Sequence, residues 1–171
     1  MHLLFAALTV IQHFGISIGL GASTLAIINF FAAIQDGHID DTERRMMGIV
    51  YVVLRIAEVI IVLATIGLYG FTYNSPTAVF DVLEYGQLVA LLVLFVNSLL
   101  MTIKLIPSTF GPGIQAGSWY VLGFIATIKP LGVHITVLQF SLCYITWIVF
   151  STSFVNGVMA IMKAKRHGFI H

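Results

Sequence analysis

Charge is what this chain has least of. Eight lysines and arginines and seven aspartates and glutamates make up 9% of its 171 residues, where a water-soluble domain carries about 25%. With a mean hydropathy of +1.03, its natural solvent is a bilayer. A formal net charge of +1 leaves no electrostatic footprint for nucleic acid. The single cysteine, Cys143, excludes an internal disulfide and a CxxC redox pair. No HExxH is present, which argues against a zinc site of that type. The amino terminus, MHLLFAALTVIQHF, has no basic segment ahead of a long apolar run. It reads as a retained first span, not as a cleaved signal. No internal repeat is visible, so residues 1–171 read as one transmembrane helical domain.

A span needs about 20 apolar residues. The candidate segments are 3–34, 46–69, 83–106, 114–128 and 131–162. Asp41 or Thr42 offers an N-cap for the second. Asn74, Ser75 and Pro76 mark the break after it, PSTFGPG the break after the third, and Lys129–Pro130 the end of the fourth. The fourth has 15 residues, about 22 Å as a helix, and is short for a span. Charge distribution selects five spans over four. With the amino terminus outside, Arg44, Arg45, Lys104, Lys163, Lys165 and Arg166 fall inside and only Lys129 outside, as the positive-inside rule requires. The expectation is an all-α polytopic bundle of about five helices, with the carboxyl terminus cytoplasmic. The expected location is the cytoplasmic (inner) membrane of a prokaryote. Its surroundings would be the lipid bilayer, and its assembly a homo-oligomer or a larger membrane complex.

Arg55 and Glu58 interrupt the second segment near its middle. A charge at bilayer depth costs roughly 2.5–3.5 kcal/mol on insertion scales, so it marks a functional place. At spacing i, i+3 the two share a helix face and can neutralise each other. Tyr51, Thr65 and Tyr69 fall on that face too, and the stripe should turn into the bundle as a buried polar network of Tyr51, Arg55 and Glu58. His13 lies near the middle of the first segment, with a Gly15–Gly19 GxxxG beside it that suits close backbone approach. His134 opens the last segment. His38, His167 and His171 belong to loops or the tail. Polar stripes also run along the third segment (Glu84, Gln87, Ser98, Thr102, with Asn97 deeper) and the fifth (Thr136, Gln139, Cys143, Thr146). Their plainest role is hydrogen bonding between helices. Tyr69, Tyr73, Trp119 and Tyr120 suit interfacial anchors.

Three patches together resemble a family group: QHFGISIGLGAS, TERRMMGIVYVVLRI and LGVHITVLQFSLCYITW. The chain resembles the small haem-b membrane proteins, meaning the copper-resistance-D-like domains and the membrane protoporphyrinogen oxidases related to them. His13 matches their first-helix histidine, Glu43–Arg45 the charged entry to their second helix, and His134 the histidine heading a later one. Thr136 stands where the oxidase pattern has lysine. The resemblance implies haem b held by His13 and His134, with Arg55 compensating Glu58 or a haem propionate. The function implied is electron transfer or porphyrin redox chemistry. Counting residues sets His134 about 10 Å from His13 in depth, a mismatch for a shared haem. The alternative is a non-enzymatic accessory subunit or small transporter built on the Arg55, Glu58 and His13 polar groups.

Overall fold

The structure, a computed structural model, describes residues 2–35, 40–73, 81–107 and 110–166. The expected break at Asn74–Pro76 and the histidines His38, His167 and His171 lie outside the described residues, as do the side chains of Tyr73, Lys163, Lys165 and Arg166. The described residues form an all-α bundle of five helices: α1 (His2–Gln35), α2 (Asp41–Tyr73), α3 (Val82–Thr102), α4 (Gly111–Ile128) and α5 (Val137–Arg166), with a 3₁₀ turn Lys129–Leu131 after α4. Four of them, α1, α2, α3 and α5, are long and apolar enough to cross a membrane.

Three helices start at the same sequence device, a capping box. Asp40 accepts from the Glu43 amide at 2.7 Å while Glu43 accepts from the Asp40 amide at 3.1 Å. Asp81 and Glu84 repeat this at α3, and Thr136 and Gln139 at α5. The cap of α2 is therefore Asp40, not Asp41 or Thr42. The cap of α5 is Thr136, so His134 lies ahead of the last helix and does not open it. At the other end of α3, Leu105 N–H bonds the Leu100 carbonyl and Lys104 N–H the Met101 carbonyl. This is a Schellman closure with Lys104 in the left-handed position, at φ 58°, where glycine is usual. It stops α3 at Thr102, short of residue 106, and Pro107 follows.

The one helix of the five that is not among the candidate spans, α4, is the most enclosed. α4 packs against α1, α3 and α5, while α2 packs against α1. Trp119 of α4 is 0% exposed and is a core residue, not an interfacial anchor. Tyr120 is turned inward to Thr24, oxygen to oxygen at 2.9 Å. The two glycines of the GxxxG serve different partners. A Cβ on Gly15 would meet Ile60 and Ile61 of α2, and one on Gly19 would meet the Trp119 ring. α4 approaches α5 through Gly113, against the Thr152 backbone, and Gly117, against Ile148 and Ser151. Ser118 lies 3.3 Å from the Tyr144 hydroxyl, and Trp147 Nε1 donates to the Gly117 carbonyl at 3.1 Å. The expected α5 stripe does not join this contact. Gln139, Cys143 and Thr146 are exposed, and Tyr144, Trp147, Ile148 and Ser151 face inward instead.

Gly19→Ala should therefore overpack the Trp119 site and cost about 1–3 kcal/mol. Gly21→Ala, with open space around its Cβ position, should be neutral. Thermal unfolding of the two purified variants beside the parent checks this. Equal losses, or none at Gly19, would place Trp119 elsewhere.

Candidate functional site

α2 and α3 run antiparallel but meet through side chains, without the close backbone packing seen between α1 and α2. Their facing residues form layers. At the top, Tyr69 donates to the Glu84 carbonyl at 2.9 Å. Glu84 also holds Lys129 at 2.8 Å, the one ion pair among the described residues. One to two turns inward, Gln12 of α1 donates to Thr65 at 2.8 Å, near the buried Gln87. Next comes an apolar layer of Ile61, Leu91 and Leu94, all buried. Beyond it Glu58 and Ser98 share the wall of one cavity. Last, Arg55 donates to Thr102 at 2.9 Å.

Two cavities occupy this seam. The first, about 390 Å³, is lined by Thr9, Gln12, His13, Tyr69, Glu84, Gln87 and Lys129, with Phe5, Ile16 and Leu68 among its apolar walls. The second, about 270 Å³, is lined by Tyr51, Leu54, Arg55, Glu58, Ser98, Met101, Thr102 and Gln115. Glu58 is 5% exposed, and its Oε1 is buried without a hydrogen-bond partner. Arg55 and Tyr51 are exposed, and Arg55 closes no ion pair with Glu58. The sequence spacing allows that pair. The structure instead sends Arg55 across to the Thr102 hydroxyl on α3. Arg55 is level with the last residue of α3 and near the middle of α2. α2 continues for almost four turns beyond it.

His13 and His134 are not brought together. His13 lines the first cavity. His134 is exposed in the segment between the 3₁₀ turn and α5 and is not among that cavity's lining residues. Nor does Arg55 reach His13, since it lines the other cavity. Among the described residues no three His, Cys, Asp or Glu side chains group to hold a metal ion. A single axial ligand remains compatible with His13. Its Nδ1 lies 2.8 Å from the Thr9 carbonyl, an acceptor only, so Nδ1 carries the proton. In the neutral ring this leaves Nε2 with a free lone pair, the arrangement that second-shell partners impose on metal-ligating histidines.

Sequence reasoning passed over Gln12 and Gln115. The signal for Gln115 was its place in a short, glycine-rich segment, GPGIQAGSWYVLG. Asn97 positions it: Nδ2 donates to Gln115 Oε1 at 2.9 Å and to the Gly111 carbonyl at 3.0 Å. No family model matches the chain, and no curated protein or solved structure matches it at significance. The haem-b expectation accordingly rests on its three sequence patches.

Asn97→Ala removes two buried hydrogen bonds at about 0.6 kcal/mol each. It should lower stability by about 1 kcal/mol and loosen the entry to α4. Unfolding in mixed micelles measures this. An unchanged midpoint would mean that Gln115 and Gly111 find other partners.

Proposed function

We propose that this chain is a small membrane transporter that moves protons along the α2–α3 seam, with Glu58 as the carrying group. One observation carries the reading: a buried carboxylate in a membrane-crossing helix keeps one oxygen without a partner and lines one of two cavities that an apolar layer separates. An intramembrane acid of this kind is costly unless it works, and proton relays use such groups. Thr65, Gln12 and Tyr69 supply hydroxyl and amide groups on one side of the apolar layer. Ser98, Thr102 and Gln115 supply them on the other. Ile61, Leu91 and Leu94 keep the path closed at rest. The amino terminus would lie outside and the Arg44, Arg45 and Lys104 end inside, in a prokaryotic cytoplasmic membrane. Purified protein in liposomes under an imposed potassium diffusion potential should acidify or alkalise the lumen faster than protein-free liposomes, as a trapped pH dye reports. Glu58→Gln should reduce the excess flux about tenfold or more. Flux equal to that of empty liposomes would overturn the proposal.

The lone pair on His13 supports a second reading, haem b in the first cavity with His13 as its only histidine ligand and Lys129 near its propionates. When bound, the group would supply one-electron chemistry. Protein purified from haem-replete cells should then show a Soret band that His13→Ala abolishes and His134→Ala leaves intact. Colourless protein excludes this reading and leaves the first untouched.

A further inference from the structure

Arg55 and Glu58 make an incomplete site. They stand one turn apart on the face of α2 that looks at α3, carry opposite formal charges, and do not pair. Arg55 leans instead on the Thr102 hydroxyl, and Glu58 shares the cavity wall with the Ser98 hydroxyl. Those hydroxyls are four residues apart on α3, about 6 Å along its axis. Between the two charged groups lies the second cavity, about 270 Å³, with the unpartnered Glu58 oxygen buried in its wall. Tyr51 and Arg55 are exposed and line the same cavity, so it has an open side.

We propose that this cavity binds a zwitterion carrying a primary ammonium and a phosphate, in the manner of ethanolamine phosphate, with the ammonium on Glu58 and the phosphate on Arg55. The chemistry selects each half. A buried carboxylate oxygen without a donor is satisfied by N–H groups, and an ammonium brings three. An arginine whose guanidinium is only partly used offers the planar fork that matches phosphate oxygens. The spacing selects the length. Four bonds separate nitrogen from phosphorus in ethanolamine phosphate, roughly 5 Å extended, whereas the two bonds between the charged groups of an α-amino acid reach about 2.5 Å. Tyr51, Ser98, Thr102 and Gln115 complete the wall with hydroxyl and amide groups that serve either half. Two sources carry this chemistry, a free solute and the head group of an ethanolamine phospholipid entering from the open side. The inference needs no proton flux, so it stands or falls apart from the transport reading.

The test has two arms. In detergent, titration calorimetry would measure ethanolamine phosphate against inorganic phosphate, ethanolamine and phosphocholine. In nanodiscs, thermal midpoints would be compared between phosphatidylethanolamine and phosphatidylcholine, each mixed with the same anionic lipid. The expected result is that ethanolamine phosphate binds about tenfold or more tightly than either half or than phosphocholine, which has no N–H to give Glu58. Glu58→Gln and Arg55→Gln should each forfeit that margin. Arg55 is exposed, so its variant keeps the test decisive if Glu58→Gln fails to fold. Binding in detergent alone assigns a free solute, and stabilisation in phosphatidylethanolamine nanodiscs alone assigns the lipid. Absence of both effects overturns the proposal. So does phosphocholine or inorganic phosphate binding as well as ethanolamine phosphate, or an Arg55→Gln protein that binds like the parent.

Discussion

The bundle is organised by the need to enclose α4. That helix carries Gln115, Ser118 and four glycines, and hydrocarbon would leave its polar groups unsatisfied. Three helices therefore close around it, and each brings a specific concession. α1 offers Gly19 to the Trp119 ring. α3 offers the Asn97 amide. α5 comes close enough along Gly113 and Gly117 for Thr152 and Ser151 to touch α4. With those three sides taken, α2 is left to pack on α1 through Gly15, and it meets α3 only across a gap. The polar seam follows from how the core is filled.

The seam also accounts for a cost that the sequence alone makes look excessive. An arginine and a glutamate in mid-helix suggest a neutralised pair deep in the membrane. In the fold Arg55 reaches across to Thr102 and stays exposed, and only Glu58 is enclosed. The enclosed charge is the one that lacks a full set of partners. A buried carboxylate with a free oxygen is unstable as a passive element and reasonable as a group that exchanges a proton or receives an ammonium.

Much of this is legible in the sequence. Apolar run lengths set out the five helices to within about six residues, and the 3.6-residue spacing of Tyr51, Arg55, Glu58, Thr65 and Tyr69 identifies the face of α2 that looks at the seam. Periodicity shows that a helix has two faces but not which one turns inward. On α5, Gln139, Cys143 and Thr146 line the outside because the aromatic face of Tyr144 and Trp147 packs better on α4. Trp119 beside Tyr120 looked like a belt at the interface, and only the glycine opposite it on α1 reveals a core residue. The separation of His13 from His134 depends on where α5 begins, and the Thr136–Gln139 capping box moves that start past the histidine. Such a box is visible in sequence, as TxxQ, and could have been used.

Two cavities beside the α2–α3 seam, separated by an apolar layer, would each open to water on one side of the membrane. Single cysteines placed at Gln87, Leu94 and Thr102, in a Cys143→Ala background reconstituted with one orientation, would be exposed to a membrane-impermeant thiol reagent from each side in turn. Gln87→Cys should react from one side only, Thr102→Cys from the other only, and Leu94→Cys from neither. Reaction of Gln87→Cys and Thr102→Cys from the same side, or ready reaction of Leu94→Cys, would contradict the two-cavity seam and the transport reading built on it.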